Sequence, residues 1–579
     1  MEEMLSLTSA ALLAMGLFAT LPPDAGATPP ASDPAPLLAP LPALHPGERH
    51  VLLLMIDGLP VGPFEEALAA HELPNLERLF AERPTLRTRA VSTFPSATAP
   101  SVPELLCGRW VELDDLPAPG AVHAFDREDR RVVRYLTEPD TWNWPLPNLL
   151  KAASRSGLSA VTVFEGRWDG TGTILTTSAI ARAAALEVLG AGEVGSGDRR
   201  PVEELLAHIR QEGVPQVSLV VFNEVDLKGH FHGPASPQVR RALAATDGLI
   251  GEIVETLRRE KTPSGRSVLD ETAIFLFGDH GMAPSGRFLD LADFFQKRDL
   301  ITFDASTVTQ VVLRERLGSL WTRWPDVILV SGGSNVTQVY LRSPSGGWLD
   351  GTEVVLGEAR KAHRRPDVEE LARDLAEHPG VSQVLRLVAP REVELRASDG
   401  RIARVIERGE GKSRRWAYVV PDGATADPLG YLAEPAVAAL VSRHASLTEA
   451  GFFDVDTWLE KTRESRYPAA VPLVEKAFHP QRFTGDLTVT SRLGWTFLRG
   501  QQGDHGNLER EAMLTPLVVN GAGVLESNTL PGARLVDIYP TAAVLLGASL
   551  DDPGLAGLDG RVLPGVRPPQ GGVATAVTR

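Results

Sequence analysis

Cysteine is nearly absent from this 579-residue chain, Cys107 being the single one. That excludes an intrachain disulfide framework and any cysteine-rich zinc or iron–sulfur cluster within one chain. Positive charge is scarce too. Lys and Arg number 58 against 74 Asp and Glu, for a formal net charge of −16, and so acidic a chain is not built to follow a nucleic-acid backbone. Long apolar runs are missing after the N-terminus, so no later segment reads as a transmembrane span. A metal, if held, must therefore be held by Asp, Glu, His or hydroxyl oxygen. What remains is ample: with 43% hydrophobic residues the chain suffices for one very large core with an insertion, or for several domains.

The start, "MEEMLSLTSAALLAMGLFATLPPDAGATPP", joins an apolar stretch to an A-x-A-like "AGA" at Ala25 to Ala27. It reads as an export signal over 1–27, with a periplasmic or extracellular destination. Glu2 and Glu3 stand where such a signal carries positive charge, which keeps a cytoplasmic chain as the alternative. Without a retained N-terminal stretch no membrane anchor is expected. Residues 28–47 are rich in Pro and Ala and read as a linker. Strand and helix patterns then alternate over 48–344, as in βαβ units around a mostly parallel sheet. Over 345–484 the pattern changes to a smaller α+β insertion or cap, with an "SDGR" hairpin turn. The α/β pattern returns over 485–565, and 566–579 reads as a flexible tail.

The run "VLLLMIDGLP" ends a buried strand in a bare carboxylate, Asp57, and open α/β sheets bind ligands outside the carboxyl ends of their strands. Other apolar runs end similarly. "VVFNEVDLKGHFHGP" supplies Asp226, His230 and His232; "IFLFGDHGM" supplies Asp279 and His280; "GDHGN" supplies Asp504 and His505. Each alone is commonly a solvated turn. Together they are costly to bury unless paired or metal-bound, and mixed oxygen and nitrogen donors suit zinc or its first-row neighbours. Between them, "VSTFPSATAPSVPELLCG" is dense in hydroxyls and reads as helical from Val102. That places Thr98 or Ser101 at a helix N-terminus, where amides and dipole favour an anion. Beside a metal, such a hydroxyl becomes an effective nucleophile.

These segments, with "MIDG", "PNLERL", "TAPSVPELLCG", "DLKGHFHGP" and "VDIYPT", resemble the alkaline phosphatase superfamily, in its type I phosphodiesterase and nucleotide pyrophosphatase branch. The resemblance covers roughly 48–340 and 485–565 and leaves the insertion largely outside. It implies an α/β fold whose central, mostly parallel sheet is sandwiched by helices. It also implies a metal-dependent phosphoric ester hydrolase, a phosphodiesterase or nucleotide pyrophosphatase working through a phosphothreonine. The alternatives are a phosphomonoesterase or phosphoryl-group transferase, then a non-catalytic metal-stabilised protein. The substrate would be small and phosphorylated: a phosphodiester, nucleotide or phospholipid-like molecule, not a nucleic-acid polymer.

Carried onto this chain, the resemblance makes Thr98 the nucleophile, two residues before Pro100 and ten before Gly108, with Thr93 of "TFP" as runner-up. Two divalent cations are implied, zinc with manganese as the alternative. One would be held by Asp226, His230 and His505, the other by Asp57, Thr98, Asp279 and His280. Asp504 is expected not to be a ligand, and His232 to be a surface or supporting residue. His123 and Lys228 have the chemistry to meet substrate but no motif that places them there. Cys107 is poorly placed for the formylglycine of the sulfatase branch. One departure stands out: "GRWVELDDLPAPGAVHAFDRED" lacks the Asn that the family's diesterases use to hold a phosphate oxygen. The insertion is expected to select substrate, although its Trp416 and Tyr418 also suit a core.

Overall fold

The apolar run after Arg49 becomes the strand His50–Ile56 in the computed structural model, and its side chains alternate between two cores. Val51, Leu53 and Met55 face one; Leu52, Leu54 and Ile56 face the other. A strand covered on both faces is what a helix-flanked parallel sheet requires. The structure describes residues 41–45, 47–110, 123–134, 147–163, 173–175, 195–305, 325–331, 335–342, 348, 367–478 and 483–569.

In spatial order the first sheet runs Asn528–Thr529, Thr85–Val91, Leu514–Gly521, Thr272–Phe277, His50–Ile56, Val217–Phe222, Ala160–Val163, Thr173–Leu175, with Ala533–Arg534 beside Thr85–Val91. The strand His50–Ile56 is parallel to both its neighbours, whereas Leu514–Gly521 is antiparallel to both of its own. The sheet is thus mostly parallel. The helices Thr98–Cys107 and Ile538–Leu545 contribute side chains to one core, and Pro74–Glu82 and Pro237–Arg259 to the other. Because the three central strands point the same way, the residues that follow them emerge at one carboxyl edge. That edge carries the candidate site.

A second sheet is inserted between Thr272–Phe277 and Leu514–Gly521. Its nine strands run Thr302–Asp304, Val327–Ser331, Val336–Leu341, Leu487–Ser491, Val381–Ala389, Glu392–Arg396, Ile402–Arg408, Arg415–Val420, Val441–Arg443. It is antiparallel except at its two ends. The expected insertion, 345–484, is therefore too narrow. Leu487–Ser491 pairs with both Val336–Leu341 and Val381–Ala389, which ties chain on either side of those limits into one sheet. Strand periodicity marks a strand without saying which sheet it joins. The hairpin turn is present, with Asp399 and Gly400 at φ 62° and 67°. Trp416 and Tyr418 are 2% and 0% exposed; they are core aromatics.

Other boundaries shift as well. The helix Thr98–Cys107 begins four residues ahead of Val102. The end of the expected linker is docked: Leu44 is buried and His45 N donates to Leu546 O at 2.8 Å. The tail begins later than 566, since Val566 bridges to Val524 and Arg567 N donates to Gly523 O. The export signal, most of the linker and residues 111–122, where the family's Asn would fall, lie outside the described residues. Among the described residues no helix is long and apolar enough to cross a membrane.

Candidate active site

The site residues come from strand ends, from one short helix and from the start of another. Asp57 succeeds His50–Ile56, and the chain then turns through Gly58 at φ 62°. A Cβ at Gly58 would collide with Asp226, so glycine is required for that approach. Asp226 lies in the first turn of the helix Glu224–His232, with His230 four residues on and on the same face. Asp279 and His280 follow Thr272–Phe277. His505 follows the short strand Gly503–Asp504, which pairs with Ala283–Pro284 and returns the late segment to the Asp279 loop. Thr98 is the first residue of its helix.

The three histidines are held in one tautomer. Nδ1 of His230 donates to Gly503 O at 3.1 Å, that of His280 to Gly281 O at 2.8 Å, and that of His505 to Ser96 O at 2.9 Å. A carbonyl only accepts, so Nε2 is left for the site. Nε2 of His230 and of His505 are 3.2 Å apart. Two lone pairs that close repel unless a proton or cation lies between them. Asp226 adds Oδ2 at 3.2 Å from His230 Nε2 and Oδ1 at 3.8 Å from His505 Nε2. On the other side, Thr98 Oγ1 is 3.4 Å from Asp57 Oδ1 and 3.3 Å from His280 Nε2. His280 Nε2 is itself 3.4 Å from Asp57 Oδ1 and 3.5 Å from Asp279 Oδ2.

These atoms fit divalent cations. Asp226 Oδ1 and Asp279 Oδ2 are buried and have no hydrogen-bond partner, a costly state for a carboxylate oxygen unless a cation meets it. Two groups have ligand atoms near enough to one another to share an ion: Asp226, His230 and His505, and Asp57, Asp226 and His280. The first is the set implied from sequence. The second shares Asp57 and His280 with the other implied set and adds Asp226, while Asp279 Oδ1 accepts from the backbone N–H groups of Gly58 and His280, at 3.1 and 3.0 Å, and Asp279 keeps Oδ2 beside His280. Asp226 thus lies between the two groups.

The electrostatics reflect this crowding. Burial, then the negative charges of Asp279 and Asp226, push the Asp57 carboxyl well above the usual carboxylate range. Burial also works against charge on Asp226, but His230 beside it outweighs that and holds its carboxyl low. Burial opposes charge on His230 as well, and Asp226 reverses this, raising the imidazole to about 9. Burial and the neighbouring His280 push His505 well down.

The chain matches the type I phosphodiesterase / nucleotide pyrophosphatase family over residues 51–367, more than half of its length. It belongs to that family. An uncharacterized pyrophosphatase/phosphodiesterase of Schizosaccharomyces pombe is 35% identical over 71 residues, 12% of this chain and 13% of that protein. The chain therefore spans about an eighth of that curated relative. Murine ectonucleotide pyrophosphatase / phosphodiesterase 5 is 12% identical with a TM-score of 0.49, covering 86% of this chain and 96% of that one. Its inactive form in complex with AMP gives the same figures. The human protein is also 12% identical over 86% of this chain and 96% of its own, with a TM-score of 0.46.

In this family member the other residues weighed from sequence fall elsewhere. Thr93 is buried and accepts a hydrogen bond from Lys476, which also pairs with Glu104. Ser101 and Ser92 bond to one another at 3.0 Å, and Ser92 donates to Asp279 O. Both Asp504 oxygens are engaged, Oδ2 by Thr496 Oγ1 at 2.6 Å and Oδ1 by His505 N at 2.9 Å. His232 is exposed and lines a cavity of about 770 Å³ with Pro60, Met282 and Gln502. Cys107 and Lys228 are buried; the His123 side chain lies outside the described residues. Sequence reading missed the carbonyls of Ser96, Gly281 and Gly503, because a main-chain acceptor leaves no mark in residue identity.

Proposed function

We propose that the chain is a metal-dependent hydrolase of phosphoric diesters, acting on a small phosphorylated substrate, nucleotide or otherwise, through a covalent phosphothreonine at Thr98. One observation carries the reading: a helix-start hydroxyl stands within 3.4 Å of both Asp57 and His280, beside buried carboxylate oxygens that lack partners. Asp226, His230 and His505 would hold one cation; Asp57, Thr98, His280 and the oxygens of Asp226 and Asp279 would hold a second. Oxygen and imidazole donors together favour zinc, with manganese as the alternative. When bound, two such ions supply Lewis acidity, which eases loss of the threonine proton and offsets charge on the phosphoryl oxygens.

The chain's own residues do the rest. Thr98 Oγ1 forms a bond to phosphorus as the bond from phosphorus to the leaving alcohol oxygen breaks, and the departing alkoxide takes up a proton. The first amides of the helix Thr98–Cys107, those of Thr98 and Ala99, would offset the developing negative charge, since Pro100 has no N–H and Ser101 N–H is held by Ala97 O. Water then cleaves the phosphothreonine and restores the hydroxyl. The His280 tautomer, fixed by Gly281 O, keeps Nε2 turned toward Thr98 throughout.

The test is metal analysis of the purified chain, with hydrolysis of bis-nitrophenyl phosphate and nitrophenyl phosphate measured before and after chelation. About two equivalents of metal, a faster diester reaction, loss on chelation and a phosphoryl adduct mapped to Thr98 are expected. A chain that neither holds metal nor gains activity with zinc or manganese would overturn the reading, and an adduct on Thr93 or Ser96 would move the nucleophile. The export reading of residues 1–27 belongs to the same proposal; cell fractionation checks it.

A further inference from the structure

We propose that the second sheet carries an anion site for a phosphate-type oxyanion, built between the hairpin turn that joins Glu392–Arg396 to Ile402–Arg408 and the end of the strand Leu487–Ser491. A polar cavity of about 370 Å³ opens there. Two guanidinium groups from distant chain positions converge in it on one hydroxyl: Arg401 Nη2 is 3.2 Å and Arg492 Nη2 3.4 Å from Ser398 Oγ. Arg401 also gives Nε–H to Ser398 O at 3.0 Å. Both arginines are half-buried.

What sets this pair apart is that two guanidinium groups meet on one hydroxyl with no carboxylate joining them. Nearby arginines of the same subdomain are matched: Arg386 and Arg396 to Glu394, Arg404 to Glu392, and Arg466 to both oxygens of Glu509 at 2.7 Å. Arg401 and Arg492 have no carboxylate oxygen within 4.0 Å among the described residues. Asp399 and Glu434 also line the cavity, without closing an ion pair to either. In a chain of net charge −16, carboxylates are plentiful, so two like charges left side by side are costly to hold together unless an anion joins them. The fork of guanidinium N–H groups suits a tetrahedral oxyanion with two oxygens in reach. Tyr467 Oη and Ser382 Oγ, 3.1 Å apart, make the same wall polar, with Tyr467 Oη donating on to Glu509 Oε1 at 3.5 Å.

The cavity is also tied to the catalytic edge. Ser491, next to Arg492, gives its N–H to Asn335 O at 2.9 Å, and Asn335 gives its own to His505 O at 3.0 Å. An oxyanion there would order the strand end against which His505 is set.

The site needs neither the metals nor Thr98, so it is tested on the full chain after chelation, titrated calorimetrically with inorganic phosphate and, separately, phenyl phosphate at constant ionic strength. One binding event with a Kd of about 0.1–1 mM is expected. Arg401→Gln with Arg492→Gln should weaken it at least ~10-fold, while Thr98→Ala leaves it unchanged. Tighter binding of phenyl phosphate would identify a phosphomonoester as the natural ligand; equal or weaker binding would identify free phosphate. No binding up to about 20 mM phosphate, or equal affinity in the double variant, overturns the proposal. Should circular dichroism show the double variant misfolded, Arg492→Gln alone is read by the same criterion.

Discussion

The tetrapeptide Gly-Asp-His-Gly stands at 278–281 and again at 503–506, and the two copies meet at the site with their imidazole rings stacked 3.8 Å apart. In both, the histidine gives Nδ1–H to a main-chain carbonyl, and the aspartate accepts the N–H of the histidine after it. The carboxylates then part company. Asp279 leaves Oδ2 buried without a partner, whereas Asp504 spends its second oxygen on Thr496. The cause lies opposite each copy. Asp279 follows a central strand and faces the loop of Asp57; Asp504 sits on a two-residue strand beside Thr496, whose short strand Trp495–Thr496 pairs with Arg287–Phe288. The same four residues set a tautomer in each case, and the neighbour decides whether the aspartate serves the site or supports it.

The largest effect is expected where the first copy meets the nucleophile. Thr98→Ala removes the oxygen that faces His280, and kcat should fall by ~10³-fold or more while metal content is largely kept; near-normal turnover would remove Thr98 from the mechanism. Asp279→Asn comes next, with a loss of ~10²–10³-fold in kcat/KM and weakened binding of one metal. Asp504→Asn should keep both metals and cost ~10–100-fold, the usual range for a group that orients ligands. Equal metal loss in the two asparagine variants would erase the distinction between the copies.

Smaller effects sharpen it. Thr496→Val strips Asp504 Oδ2 of its donor, so chemical denaturation should show a stability loss of ~1–3 kcal/mol with metal content unchanged. Least of all is a change remote from both copies. Burial, then the hydrogen bond and charge of Glu475, raise the Glu407 carboxyl from 4.5 to about 9. The folded state therefore holds this proton more tightly than the unfolded chain. Its stabilisation is complete below about pH 4.5 and is lost as pH rises through about 9. Glu407→Gln, which has no proton to lose, should show a smaller drop in Tm than the parent between about pH 6 and pH 9, by ~2 °C. An identical drop would mean that the pair does not share its proton.

Much of this protein was determined by sequence alone. The short, continuous apolar runs placed Asp57 and Asp279 at strand ends, and Asp226 and His230 were legible as ligand types four residues apart. Ligand types along the chain already pointed to a metal site, while Thr98 and Ser101 stayed open as the helix-start hydroxyl and only the family resemblance favoured Thr98. These features are local, so residue identity and short spacing suffice to express them. Only tertiary structure decided which copy of the tetrapeptide keeps an oxygen open, that Asp226 lies between both cation groups, and that the second sheet begins near Thr302 instead of 345. It alone left Arg401 and Arg492 without carboxylates while Arg466 found Glu509. A carboxylate's partner or a strand's neighbour is set by contact between residues tens to hundreds of positions apart. Composition and periodicity carry no term for that contact.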